Sequence, residues 1–392
     1  MSAEEFLNPS VKKLGKSLLW EFFDLASNTE NVISLSVGEP DFKTPWHISE
    51  EGIYAIEKGR TYYPPTRGLE QLRKGIAKYY KRRLGVTGYT NENILVTNGA
   101  SESIDLICRT ILSEGDECII LDPGYVAYEP SVLLTGANPV YLCLKEENAF
   151  KVTKEELEEC ITDKTKMIIL NYPSNPTGGI MTKEDYEEIV PILKKHHILT
   201  VCDEIYIELT YGEEPFSLAN IEDFREQLVI VNGFSKAYSM TGWRLGYMIA
   251  DKTIIEACNS IHQYSVMGAS TISQFAGVEA VSEKGDKNID EHKESFEARR
   301  NFIVNRLNKM GLYTPMPKGA FYVFPNISST GLSSYDFCVK LLQEEKVCVI
   351  PGTAFGPSGE GHVRISYAYS LEELKLALEK IEHFLENLKK WA

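Results

Sequence analysis

The segment NGFSKAYSMTGWRLGY, residues 232–247, carries two cations at a spacing that invites chemistry: Lys236, and Arg244 eight residues later. The apolar run LVIV just ahead reads as a buried strand, so Lys236 stands just past a strand's end. A lysine in water is a plain ammonium. One that is desolvated beside other cations gives up its proton more readily and attacks carbonyls. Asp203 follows the apolar run LTVC and closes another strand. Its ordinary use there is a turn cap; its chemical use is to pair with a buried cationic ring nitrogen. NGASESI, residues 98–104, reads as strand end, glycine turn and helix start, where free N–H groups and the helix dipole receive an anion. Gly99, Ala100 and Ser101 form that turn, and Ser235 and Arg244 add a hydroxyl and a guanidinium for the same anion. The remaining strand ends supply Tyr125 in DPGY, Asn175 in NYPSNPTGG and Tyr206 in DEIY. One cofactor uses all of these groups. Pyridoxal phosphate offers an aldehyde to a lysine, a ring nitrogen to an acid, a phosphate to a helix N-terminus and an arginine, and an aromatic face for stacking.

Such residues need a sheet to bring them to one edge. The runs NILVTN, ECIILD, PVYLCL, KMIILN, ILTVCD, LVIVNG and RLGYMIA read as strands, most of them apolar on both faces. Helix-like segments such as SESIDLICRTIL and TKEDYEEIVPILKKH lie between them, which predicts an α/β fold. The expected sheet is seven-stranded and mostly parallel, with helices on both faces. Between Lys236 and Leu245 there is no room for a crossover, so the last strand is expected to run antiparallel. The charged amphipathic run DKNIDEHKESFEARRNFIVNRLNKMG predicts a long helix leading into a smaller α+β domain. That domain is expected to hold strands in GAFYVFPNI, VCVIPG and HVRISYA and helices in SSYDFCVKLLQEE and LEELKLALEKIEHFLENLKKWA, with the helix LLWEFFDLAS packed on it. The expected division is a large cofactor-binding domain over 48–285 and a small domain from 1–47 and 286–392.

Composition narrows the function. A net charge of −15 argues against nucleic acid and anionic membrane as partners, while a local cationic pocket for small acids stays compatible with it. The start, MSAEEFLNPSVKKLGK, has no apolar core of a signal peptide, and no apolar run reaches membrane-spanning length. The eight cysteines are scattered without a CxxC pair, as expected of reduced thiols in the cytoplasm. The seven histidines show no metal-ligand spacing, so no metal is expected.

Taken in order, the blocks FFDLA, SVGEPDFKTP, YYPPTRGLEQLR, VTNGASE, DPGY, NYPSNPTG, DEIY, SKAYSMTGWRLGY, GAFYVF, PGTAFG and VRISYA resemble the class I aminotransferases among the fold-type I pyridoxal phosphate enzymes, nearly end to end. The resemblance implies that Lys236 bonds the cofactor aldehyde and shuttles the proton, and that Asp203 holds the pyridinium nitrogen. It implies Tyr206 and Asn175 on the phenolic oxygen and Tyr125 stacked on the ring. Ala100, Ser101, Ser235 and Arg244 would hold the phosphate, with Tyr63 reaching in from a second subunit of a homodimer. Arg364, helped by Gly38 and Asn175, would clamp the substrate α-carboxylate. The Asn175–Pro176 bond is expected to be cis, as its family counterpart is. The chain departs from the best-known aspartate enzymes at Gly233, where they carry a serine; that removes one expected phosphate hydroxyl.

The implied activity moves an amino group from an L-amino acid to a 2-oxo acid, with 2-oxoglutarate as the expected acceptor, by a ping-pong mechanism. Aromatic amino acids, aspartate and N-acetyl-diaminopimelate all stay open as donors. The side-chain pocket is expected near Leu18, Leu19, Trp20 and Phe321; many relatives carry Gly-Ile-Arg where this chain has Leu-Leu-Trp. A carbon–sulfur β-lyase is the alternative within the fold, although VGEPDF is the aminotransferase form of its loop. A non-catalytic pyridoxal phosphate-binding regulator would need a DNA-binding domain, and the strands begin too early for one. A nucleotide enzyme is weaker still: LGKSLL lacks the leading glycine of a P-loop and no GxGxxG is present.

Overall fold

The computed structural model describes residues 3–391, and in it each of the seven apolar runs becomes a strand of one sheet. They are β1 (Ile94–Thr97), β2 (Glu117–Asp122), β3 (Asn138–Cys143), β4 (Thr165–Asn171), β5 (Leu199–Asp203), β6 (Leu228–Gly233) and β7 (Gly246–Ile249). Their spatial order is β1-β7-β6-β5-β4-β2-β3. Neighbours from β6 through β3 pair in parallel, whereas β7 runs antiparallel to both β1 and β6. The short return from Lys236 therefore acts as its length requires.

Side chains alternate across each strand, and the two sets enter different apolar layers. Leu95, Ile120, Ile169, Val201, Val231 and Met248 pack together on one face. Ile94, Ile119, Ile168, Cys202, Ile230 and Ile249 join the larger layer on the other, which continues through Phe296 to Leu385. Helix α1 spans Leu18–Ser27, and α2, Ala100–Ile111, sends Ile104 and Ile107 into the first layer. The long helix α3, Glu283–Met310, stops at Gly311, whose φ of 91° only glycine adopts readily.

Beyond α3 lie α4 (Ser334–Glu345) and α5 (Leu371–Trp391) with a three-stranded antiparallel sheet. In it Val363–Ser366 pairs with Ile350–Pro351 on one side and Tyr322–Val323 on the other. The run VCVIPG is thus not one strand: Val347–Cys348 leaves it to pair in parallel with Ile33–Ser34. GAFYVFPNI contributes only two paired residues. Helix α1 packs here, with the Phe22 ring 5.6 Å from that of Tyr335 and the Tyr335 hydroxyl donating to Glu21 at 2.9 Å. Positions 48 and 286, the expected domain limits, fall near the starts of helices Trp46–Glu57 and Glu283–Met310.

Candidate active site

The carboxyl ends of β1, β2, β4, β5 and β6 share one edge of the sheet, and Thr97, Gly246 and Gly233 align across it. This line frames a cradle whose groups suit an anion. Gly99, at φ 81°, turns the chain from β1 into α2, so that Ala100 and Ser101 open the helix. A Cβ on Gly246 would stand 2.4 Å from the Gly99 carbonyl carbon and 2.5 Å from the Ala100 nitrogen, so only glycine lets β7 pass this close. A Cβ on Gly99 would stand 2.7 Å from Arg244 Nη2. Arg244 itself takes the left-handed conformation, φ 51°, and is exposed. Guanidinium, helix N-terminus and the buried Ser235 thus line the same cleft. At Gly233 a Cβ would meet Leu245 O at 3.1 Å and Ile205 Cδ1 at 3.3 Å, leaving little room for a serine.

Lys236 lies beside this cradle and donates from Nζ to the Gly38 carbonyl at 2.7 Å. Burial pulls its ammonium down to about 8; Arg364 and Arg244 pull the same way and Glu39 opposes them. Asp203 ends β5 and is 5% exposed. Its Oδ2 accepts from the Tyr128 hydroxyl at 2.8 Å and its Oδ1 from the Ile205 N–H at 3.1 Å. Burial raises its carboxyl to about 6, against those hydrogen bonds and the charge of Lys236. Tyr125 meets Tyr128 edge to face at 5.5 Å. Tyr206 and Tyr322 join their hydroxyls at 2.9 Å, and burial holds the Tyr206 phenol well above its usual range. Asn171 Oδ1 accepts from the Asn175 N–H at 3.0 Å, and the Asn175–Pro176 bond is cis.

Arg364 is 2% exposed, yet its charge is only partly answered. Its Nη1 donates to Asn175 Oδ1 at 3.0 Å and its Nη2 to the Ser36 carbonyl, while the buried Nε has no hydrogen-bond partner. The guanidinium lies 4.6 Å over the Tyr322 ring and 4.7 Å over that of Phe355. The loop carrying Ser36 and Gly38 is tied to α3: Arg299 donates to Asp41 at 2.7 Å, and Phe42 stacks on His292 at 4.2 Å. A Cβ on Gly38 would collide with the Tyr322 hydroxyl at 2.0 Å.

The family model for aminotransferase class I and II matches residues 30–381. This chain belongs to the class I and II aminotransferases. It is 40% identical over 388 residues to the aromatic-amino-acid aminotransferase 2 of Thermococcus litoralis, covering 98% of each chain. It is also 40% identical over 388 residues to the aspartate aminotransferase of Pyrococcus abyssi, again covering 98% of each. Among solved structures, the aspartate aminotransferase of Thermus thermophilus with maleate superposes with a TM-score of 0.92 at 33% identity, over 96% of this chain and 99% of that one.

In this aminotransferase a cleft of about 330 Å³ brings together Gly38, Ala100, Ser101, Tyr125, Asn175, Asp203, Tyr206, Ser235, Lys236, Arg244 and Arg364. Gly99 lies just behind the lining. Tyr63 is 84% exposed and does not line this cleft. The expected side-chain wall needs correction. Leu19 and Trp20 line the cleft, joined by Phe23 one turn on, but Leu18 faces a separate groove beside Tyr141. Phe321 is fully buried among the rings of Tyr206, Phe296 and Tyr322, behind the lining. Sequence reasoning missed Tyr128, Tyr322 and the Ser36 carbonyl. Tyr128 stands six residues past Asp122, and an aromatic that close to a strand's carboxyl end was the available signal.

Proposed function

We propose that this aminotransferase uses pyridoxal 5'-phosphate to move an amino group from an L-amino acid to a 2-oxo acid, 2-oxoglutarate being the acceptor of choice, with the two substrates taking turns in one cleft. The observation that carries this reading is the convergence of Lys236, Asp203, Arg244 and Arg364 on a single cleft. The residues suit the cofactor. The notch kept open by Gly99 and Gly246 has the chemistry of a phosphate seat, and the unpartnered Arg364 Nε awaits an acceptor.

When bound, pyridoxal phosphate supplies a reactive aldehyde and a cationic ring that accepts negative charge from the substrate's Cα. Asp203 would keep the ring nitrogen protonated, Tyr125 would cover the ring, and Tyr206 with Asn175 would hold its phenolic oxygen. Ala100, Ser101, Ser235 and Arg244 would hold the phosphate, with Tyr63 from a second copy. Arg364 is already oriented by Ser36 and Asn175, and it would fix the α-carboxylate with Gly38 and Asn175 alongside. Burial brings the Lys236 ammonium down to about 8, which leaves a neutral fraction to take the α-proton and return it.

The names of the relatives leave aromatic amino acids and aspartate as donors, with N-acetyl-diaminopimelate as a third. We further read the protein as a cytoplasmic homodimer. Among the described residues no helix is long and apolar enough to cross a membrane, and all eight cysteines are free. We read 48–285 as the cofactor-binding domain and 1–47 with 286–392 as the smaller one. To test the reading, purified protein loaded with the cofactor is reduced with borohydride and its peptides are mapped, and amino donors are screened with 2-oxoglutarate. Label on Lys236 and a 2-oxo acid product are expected. Label on another lysine, or elimination in place of transfer, would overturn the proposal.

A further inference from the structure

We infer that the cleft selects donors with a large apolar side chain, aromatic ones above all, and that Trp20 and Phe23 form the wall such a side chain packs against. The inference rests on the aminotransferase reading above and gives it a substrate class.

One support is a count of charges. Among the described residues lining the cleft, the cations are Lys236, Arg244 and Arg364. Each has a task already: Lys236 at the reacting carbon, Arg244 at the anion cradle, Arg364 with the α-carboxylate. The acids are Asp203, committed to the ring nitrogen, and Glu39, an exposed carboxylate that accepts from the Thr241 hydroxyl. Aspartate's short side chain would hold its second carboxylate inside this lining, with no free cation in this subunit and Glu39 at hand, whereas the longer 2-oxoglutarate would have to carry its own out toward the solvent-open rim.

The other support is the wall. Leu19, Trp20 and Phe23 project from one stretch of α1 into the cleft, and Val37 and Ile104 flank them. The Trp20 and Phe23 rings meet edge to face, 5.4 Å apart. Trp20 is 64% exposed, a large apolar ring left uncovered at the rim of a cleft. A donor ring would cover it and extend the edge-to-face pair. An aliphatic donor would gain area without the ring contact, and aspartate would gain neither.

The test uses the loaded enzyme with one donor at a time, following the cofactor's absorbance after rapid mixing, so that no acceptor is needed. Phenylalanine and tyrosine are expected to react with at least about tenfold greater rate constant over dissociation constant than aspartate. Calorimetry with unreactive acids is expected to show 3-phenylpropanoate binding more tightly than succinate. Trp20→Ala should cost about tenfold for phenylalanine and for 3-phenylpropanoate, with a smaller loss for alanine. Phe23→Leu should move both in the same direction. Aspartate reacting as well as phenylalanine, or Trp20→Ala lowering every donor by one common factor, would overturn the inference. A spectrum that no donor alters would instead remove the aminotransferase reading, and calorimetry would still decide the side-chain preference.

Discussion

Replacing Asp203 by Asn should make the empty protein more stable and the loaded protein far less active. Burial holds the Asp203 carboxyl at about 6, above the 3.8 it has when unfolded, despite the donors Tyr128 and Ile205 N–H and the charge of Lys236. Folding without cofactor therefore favours the protonated acid. That contribution is fully present below 3.8 and is lost as pH rises through about 6. Linkage puts the cost of the buried carboxylate at about 3 kcal/mol at about pH 7.5 and about 1 kcal/mol at about pH 4.5. Asn removes the charge and keeps the shape: its oxygen can accept from the Ile205 N–H, and its amide can donate to the Tyr128 hydroxyl. Urea unfolding of the apoprotein, at one protomer concentration and both pH values, should show the variant gaining more at the higher pH. With cofactor bound the balance reverses. A carboxylate in hydrogen-bonding contact with a cationic nitrogen is worth about 5 kcal/mol at an effective dielectric constant of about 20, or roughly four pKa units. Its loss should slow the first half-reaction, read by stopped-flow absorbance, at least about a thousandfold. An analogue with a methylated ring nitrogen should restore part of the rate. Equal stability gains at both pH values, or a near-normal rate, would reduce Asp203 to a turn residue.

Covalent attachment of cofactor to the apoprotein should quicken as pH rises through about 8, because burial holds the Lys236 amine there; its absorbance time course reports this, and Lys236→Ala should bind cofactor without the link and lose transfer. Gly246→Ala places a Cβ 2.4 Å from the Gly99 backbone, so cofactor should bind at least about tenfold more weakly in a fluorescence titration while the circular dichroism of the fold is kept. If Tyr63 serves the neighbouring site, Tyr63→Ala and Lys236→Ala chains mixed in one dimer should regain activity that neither has alone, since one site then receives both intact residues.

The central sheet was legible because its strands are buried on both faces and bounded by turn residues, so each run announces itself locally. The outer region was less so. Nothing in VCVIPG tells that Val347–Cys348 will pair with Ile33–Ser34 while Ile350–Pro351 pairs with Val363–Ser366, since both partners are far away in the chain. The strand-end residues of the site were legible for the same reason as the sheet. Tyr128 was not, because its hydroxyl meets Asp203 across 75 residues. Leu18 and Trp20 are neighbours in sequence, but 100° per residue sends them to different grooves, and only packing decides which is which. The roles assigned from family resemblance, Tyr63 above all, came from motif matching rather than from any physical signal in the chain.

Lys236 is held by the Gly38 carbonyl, and Arg364 by the Ser36 carbonyl beside Asn175 Oδ1; the two carbonyls are groups that every sequence shares. Substitutions along residues 36–42 cannot delete them so long as Arg299 and His292 keep the loop docked on α3. Drift in this loop is thereby uncoupled from the orientation of Lys236 and Arg364. The constraint collects at Gly38, where any side chain meets Tyr322, and in the docking contacts. A lineage altering its substrate preference can rewrite the face that Val37 and Glu39 present to the cleft while the two cations stay where they are.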